Sequence, residues 1–354
     1  MPVRHRAIAG SLLGTAVGDA LGLPYEGLSR RRAKRLLGPP TRYRLLPGWG
    51  MASDDTEHAC MTLQALIVAG DDVDEFARQL ARRLRLWLLG APAGIGLATL
   101  KATLKLWAGV PPSRSGVFSA GNGPAMRAAV LGAAIEELET LARFVRASTR
   151  VTHTDPKAEY GALAIARAAR WACNETPVSA RQFTDEVRGQ IPAGAAGDEF
   201  IALLHRMTES LDRGESTVEF ADALGLARGV SGYIYHTAPV ALHAWLSHPR
   251  ELREAVEEIV SCGGDVDSTA AVVGGIIGCS VGREGIPAEW LARLAEWPCT
   301  VRWMEELSQR TYEARISRAP AEPPRLPWWG VVPRNAAFAA IVLAHGFRRL
   351  LPPY

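Results

Sequence analysis

Lysine is scarce in this chain. Only Lys34, Lys101, Lys105 and Lys157 stand among 40 basic residues, and 37 acids nearly cancel that total. The resulting net charge of +3 is too small for the basic footprint of a nucleic-acid binder. Cysteine is sparse and odd in number (Cys60, Cys173, Cys262, Cys279, Cys299), and no C-x-x-C pair occurs. That excludes a zinc ribbon or a disulfide framework and predicts a reducing, cytoplasmic setting. Alternating Val/Ile–polar runs are missing, so strands are not expected. No apolar run is long enough for the expected membrane span, so no membrane partner is expected. Arg4 and Arg6 ahead of Ala7–Val17 resemble a signal peptide, but Gly10, Gly14 and Gly18 interrupt the stretch and Asp19 follows it. A buried helix that opens the fold is the better reading. No internal repeat is evident.

What is present is helical. The 354 residues are 48% hydrophobic, enough for a real core. Apolar spacing predicts helices over 7–22, 56–69, 74–89, 97–107, 124–146, 157–174, 179–190, 198–213 and 217–227. Further helices are predicted over 232–246, 250–261, 267–281, 288–296, 300–315 and 335–350. Glycine and proline place loops at 38–52, 90–96, 109–123, 191–197 and 318–334. The expected fold is all-α, with a compact body over 1–317. A Pro/Trp-rich surface segment and final helix (318–354) then dock back through a face carrying Ala337, Ile341, Ala344 and Leu351. Gly10, Gly14, Gly18 and Gly22 share one helix face and predict the close approach of another helix.

Two acidic motifs carry the chemistry. Ser53-Asp54-Asp55-Thr56-Glu57 opens a predicted helix; alone, it reads as a capped N-terminus with acids on the positive end of the dipole. Gly263-Gly264-Asp265-Val266-Asp267-Ser268-Thr269 opens a second helix that is apolar nearly all round, hence buried. The dipole offers at most ~2 kcal/mol, whereas burying an unpaired carboxylate costs several. No Lys or Arg lies within a turn, and Arg283 is at the far end. A metal ion answers the charge. Oxygen ligands suit Mg²⁺ or Mn²⁺, and the lack of nearby His and Cys argues against zinc. Together the motifs offer four carboxylates and the hydroxyls of Ser53 and Ser268, a ligand set for two ions about 3.5–4 Å apart.

Other candidates have competing readings. Asp19, on the glycine helix, is read first as a buried, hydrogen-bonded acid that orients neighbouring loops. Glu26, in a turn after Pro24, is better placed to meet a ligand. The loop Gly90–Gly96 before a helix suits a phosphate through Gly94 and Gly96, or is a plain connector.

In this order the motifs resemble the ADP-ribosylglycohydrolase family, which includes the dinitrogenase-reductase-activating glycohydrolases. The matching residues are Gly14-x-x-x-Gly18-Asp19-Ala20-Leu21-Gly22, Ser53-Asp54-Asp55-Thr56, Ser119–Arg127, Thr152-His153 and Gly263–Ala270. The resemblance implies an all-helical fold with a binuclear Mg²⁺ site held by Ser53, Asp54, Asp55, Asp265, Asp267 and Ser268. It implies that Ser119, Gly121, Asn122, Gly123 and His153 help hold ADP-ribose, the glycines letting backbone N–H groups approach a pyrophosphate. Gly-Asn-Gly is also an ordinary turn, and His153 between two threonines also suits a structural role. Arg127 is a candidate partner for a carboxylate. Tyr233, Tyr235 and His236 are candidates for a pocket around the base.

The sequence departs from the family in two places. Both hydroxyl ligands are Ser where Thr is commoner, which loosens the rotamer. Residues 93–96 lack the acid of the arginine-specific branch, whereas Glu26 matches the acid used on serine-linked ADP-ribose. The expected reaction is hydrolysis at C1″ of the distal ribose, with Glu26 or Asp55 as base toward water or acid toward the leaving group. Glu57 is expected to support the ligands from one turn behind. The substrate is expected to be an ADP-ribosylated protein or small molecule, and no oligomeric state is implied. An inactive ADP-ribose binder and a nucleotide pyrophosphohydrolase are the alternatives; the retained acids argue against the first and their placement at helix starts against the second.

Overall fold

The computed structural model describes residues 3–174 and 179–351. Eighteen α-helices and four 3₁₀ turns make up 69% of the described residues, with no sheet among them. Those that shape the site are α1 (Val3–Gly22), α2 (Asp54–Ala69), α3 (Val73–Leu89), α4 (Leu97–Trp107), α5 (Pro156–Ala172), α6 (Ile234–Ser247), α7 (Val266–Val281), α8 (Val301–Ser317) and α9 (Val331–Arg348).

The centre is the antiparallel pair α1 and α7, the most extensive helix contact in the molecule. Glycine makes it possible. A methyl added at Gly10, Gly14, Gly18 or Gly22 would sit 2.0, 2.1, 2.1 or 2.3 Å from the carbonyl oxygen of Gly278, Gly274, Ala270 or Val266 respectively. Backbone meets backbone along the whole crossing, so any side chain there would force the helices apart. The geometry also fixes polarity: the C-terminal end of α1 lies against the N-terminal end of α7. Helices α5 and α6 cover α7, and α8 covers α1 and α2.

Helix existence follows the predicted pattern closely, and α4 has the predicted limits. The exception is the single helix predicted over 124–146. It is three pieces: a 3₁₀ turn Ala125–Arg127, a helix Ala129–Ala134 and a helix Leu138–Arg150. Ile135 is extended, and Glu137 caps a new start by accepting from the amides of Glu139 and Thr140. A short helix, Arg30–Leu36, lies where no element was predicted; its only buried residue is Ala33, so it carries no apolar periodicity to read.

Two stretches, Arg4–Tyr25 and Trp328–Arg348, do meet the length and hydropathy of a membrane span, contrary to the expectation from uninterrupted runs. The first is 100% buried inside the protein, and its apolarity serves the α1–α7 core. The second is 22% buried. It docks on the body through Arg334, Asn335 and Phe338, with Ile341 and Val342 partly buried. Of the predicted face, Ala337, Ala344 and Leu351 are exposed. The helix is rotated because Arg334 and Asn335 reach inward to Ala52, Glu296 and Gly90. Trp328 and Trp329 lie on the surface as expected.

Candidate active site

Asp19 is the hub from which the site is built. It is fully buried on α1 and accepts from Ser53 N (2.9 Å), Thr56 N (3.2 Å) and Thr56 Oγ1 (2.6 Å). It therefore caps α2 from outside that helix and sets where Asp54 and Asp55 stand. Burial pushes its carboxyl up to about 6, against the pull of these hydrogen bonds. This is the loop-orienting role read for it from sequence.

The two acidic motifs meet. Ser268 Oγ donates to Asp55 Oδ2 (3.1 Å), and Ser53 Oγ donates to the same oxygen (3.2 Å). Glu26, Asp265 and Asp267 each offer a carboxylate oxygen, and these atoms lie within 4.8 Å of one another. Glu26 was assigned to proton transfer; its position also lets it share a cation with Asp265 and Asp267. Burial, and then the surrounding like charges, pushes the carboxyls of Asp54, Asp55 and Asp267 well above the usual range. Desolvation by its surroundings and then Asp265 raise Glu26.

A cation fits this set. Asp55 Oδ1 and Asp267 Oδ1 are buried without a hydrogen-bond partner. None of Asp54, Asp55, Asp265 and Asp267 forms an ion pair among the described residues. Several crowded carboxylates are costly even with the charge of Arg349 nearby, and a hard divalent ion relieves the repulsion while satisfying the orphaned oxygens. Gly94 borders the cluster: a methyl there would lie 3.5 Å from Asp54 Oδ1. Gly96 caps α4, and a methyl there would touch nothing. Glu57 turns away and is held by Trp87 Nε1 (2.5 Å) and Arg334 (3.3 Å).

The glycine loop is tied to the acids by Asn122. Its Nδ2 donates to Asp265 Oδ2 (2.7 Å) and to Thr237 Oγ1 (3.1 Å), and its backbone N donates to Gly232 O (2.9 Å). Thr237 is a contributor with no cue in the sequence, where it reads as part of an apolar helix. His153 lies beneath the loop, 2% exposed. Methyls at Gly121 and Gly123 would each sit 3.1 Å from its ring, so packing on His153 is a second reason for these glycines. Ser119 is half-buried at the start of the loop, beside Phe118, which is 80% exposed.

Arg127 makes no carboxylate contact, contrary to expectation. It is fully buried and donates to Ser148 Oγ and O and to Thr152 Oγ1 (2.7 Å), with Nη1 2.9 Å from His58 Nδ1. Burial lowers its guanidinium to about 9. Thr152 Oγ1 accepts from Arg127 and stands 2.8 Å from His153 Nδ1. The Thr152 hydroxyl also stands 3.5 Å from Thr149 O, and together these contacts fix the ring with its Nε2 edge next to the glycine loop. Burial and then the Arg127 charge hold His153 neutral, down to about 3. The network holds the imidazole in place under Gly121.

The aromatic trio divides. Tyr235 is core: 1% exposed, stacked on Phe200, its hydroxyl donating to Ala196 O (2.6 Å). Tyr233 and His236 are half-buried, and Tyr233 bridges to Gly121 at the loop. A separate cavity of about 400 Å³, lined by Leu138, Tyr160 and Gln190 among others, includes none of these groups.

Comparison with known proteins agrees with this geometry. The model of the ADP-ribosylglycohydrolase family matches residues 1–321. An uncharacterized protein of Archaeoglobus fulgidus is 33% identical over 86% of this chain and 95% of its own. The ADP-ribosyl-[dinitrogen reductase] glycohydrolase of Rhodospirillum rubrum is 27% identical over 83% and 92%. The ADP-ribosylhydrolase ARH3 of Gallus gallus is 26% identical over 82% and 88%. A solved ADP-ribosylglycohydrolase-related protein complex superposes with a TM-score of 0.66 at 27% identity, covering 89% of this chain and 100% of that one. With the helical fold, the paired acidic motifs and the glycine loop in one place, the chain belongs to the ADP-ribosylglycohydrolase family, whose members hydrolyse glycosidic bonds to ADP-ribose.

Proposed function

We propose that this chain hydrolyses the N- or O-glycosidic bond joining ADP-ribose to a protein or small-molecule acceptor, and that it depends on two divalent cations, Mg²⁺ or Mn²⁺. The observation that carries the metal is the pair of buried, unpartnered oxygens on Asp55 and Asp267, the latter clustered with Glu26 and Asp265. Asp54, Asp55, Asp265 and Asp267, with the hydroxyls of Ser53 and Ser268, would hold the ions. When bound, they supply Lewis-acid stabilisation of charge and orientation of the ribose hydroxyls.

The chain's own groups do the rest. Burial raises the carboxyls of both Glu26 and Asp55 above their ordinary range, the direction that suits proton transfer. Glu26 is the more exposed, so it is the group assigned to move a proton at water or at the leaving group. Asn122 holds Asp265 in place, and Asp19 holds the start of α2. His153 and the backbone of Gly121–Gly123 are assigned to the ADP-ribose pyrophosphate, with Ser119 and the Gly94–Gly96 loop at the rim. The five unbonded cysteines support a reducing, cytoplasmic setting.

The test is calorimetric titration of the chelated, metal-free protein with ADP-ribose, with and without Mg²⁺. Binding strengthened by Mg²⁺ supports a shared site; no binding in either condition removes the ADP-ribose reading. A panel of serine-, arginine- and base-linked substrates then assigns the acceptor. Release of ADP-ribose supports glycohydrolysis, and release of AMP would assign pyrophosphate cleavage instead.

A further inference from the structure

The family match ends at residue 321, yet the chain beyond it is built into the wall of the carboxylate site. Phe338 of α9, with Ile341 and Val342, packs on Leu23, Leu45, Met51 and Ala93. Leu23 precedes Glu26, Met51 precedes the Ser53–Asp55 motif, and Ala93 adjoins Gly94, which faces Asp54. One end of the helix is tied down by Arg334, which donates to Ala52 O (2.5 Å) and pairs with Glu296 (2.6 Å). Just past the other end, the guanidinium of Arg349 donates to Pro24 O (2.8 Å) and to Glu26 O (2.7 Å), while Arg32 donates to Arg349 O.

On the core side the turn around Glu26 is held by Tyr25 and Leu28, both buried. The Glu26 side chain is exposed, and Gly27, at φ +68°, has nothing within 4 Å of where a Cβ would be. A backbone link to the body is Gly27 N donating to Gly264 O (2.9 Å). Arg349 grips the opposite side of the turn through two carbonyls that bracket Tyr25. A planar fork with several donors spans two acceptors in fixed geometry, which a lysine ammonium does not reproduce.

We propose that Arg349 is a positioning residue for Glu26, so that in this chain the segment after residue 321 is part of the active site. The proposal rests on the reading above that the Glu26 carboxylate acts on the scissile bond. Placement of a reacting group strongly affects rate, and displacing it acts on kcat before substrate affinity.

The experiment compares Arg349→Ala, Arg349→Lys and, as a control, Phe347→Ala, whose side chain is 67% exposed on the same helix. ADP-ribose release gives kcat and KM, and hydrogen exchange follows the amides of residues 23–28. Arg349→Ala is expected to lower kcat by about tenfold or more with KM within about twofold, while Arg349→Lys falls between it and the parent. Exchange should quicken at 23–28 and stay unchanged in the middle of α1. Phe347→Ala should match the parent in both. An Arg349→Ala protein with parental exchange at 23–28, or with parental kcat, overturns the proposal. So does an equal loss in Phe347→Ala, which would mean general loosening of the helix. If the parent itself releases no ADP-ribose, the hydrolysis reading fails, and the exchange arm still decides whether Arg349 holds the turn.

Discussion

Ser268 Oγ donates a 3.1 Å hydrogen bond to Asp55 Oδ2 across 213 positions of sequence, joining the N-termini of α7 and α2. Two helix starts that each look like an ordinary acidic cap become one site when they face each other. The electrostatic cost of that meeting is what a cation relieves.

Replacing Asp267 with Asn should act in opposite directions on stability and function. The Asp267 carboxyl is pushed well up by burial and by Glu26 and Asp265, so its charge destabilises the metal-free protein. Asp267→Asn is expected to raise the thermal midpoint in chelator, to lose the stabilisation by Mg²⁺, and to abolish turnover. Full activity in this variant would remove the metal assignment.

Gly14→Ala should be severely destabilising although it adds one methyl. The new carbon would sit 2.1 Å from the Gly274 carbonyl oxygen, and backbone cannot change rotamer to make room. Overpacking commonly costs about 1–3 kcal/mol; here at least the upper end is expected. Urea denaturation measures it. A loss under about 1 kcal/mol would mean that α1 and α7 are not in backbone contact.

Asn122→Ala should weaken Mg²⁺ binding by about 10–100-fold, because it leaves Asp265 without the donor that orients it. Calorimetry with Mg²⁺ alone reads this directly. Unchanged affinity would reduce Asn122 to a turn residue.

His243 should make the protein less stable in acid. It is fully buried, stacked on Phe220 and 3.0 Å from Thr217 Oγ1, and burial lowers it to about 4. Between its ordinary value near 6.5 and about 4, the unfolded chain takes a proton that the folded protein refuses. Stability from this group is whole above that window and is lost as pH falls through it. The raised carboxyls of the site have the opposite sign, so the comparison must be with a variant. His243→Gln is expected to show a smaller drop in urea midpoint between pH 7.5 and 4.5 than the parent; equal slopes would place the acid sensitivity elsewhere.

Much of the site was legible because its elements are local. Ser53–Asp55 and Asp265–Ser268 are short runs at helix starts, where hydroxyls and acids cap the first turn whatever they do next. The buried helix behind Asp267 signalled a missing counter-charge before any contact was known. Arg127 and Tyr235 stayed open in the sequence for the converse reason. An arginine beside a glycine loop and a tyrosine beside a helix start look the same whether they face a ligand or the core, and burial decided for the core in both.

By itself, the sequence determined the helical class, the four-residue glycine spacing that demands close backbone contact, and the two acidic motifs at helix starts. Periodicity and charge act over one or two turns and are written in neighbouring residues. The tertiary structure decided what sits opposite each of them. It brought Ser268 to Asp55 and Asn122 to Asp265, and it set Arg127 behind His153 and Arg349 over Glu26. Those pairings depend on how whole helices cross, which no local pattern specifies, and the backbone contact between α1 and α7 sets the crossing from which the others follow.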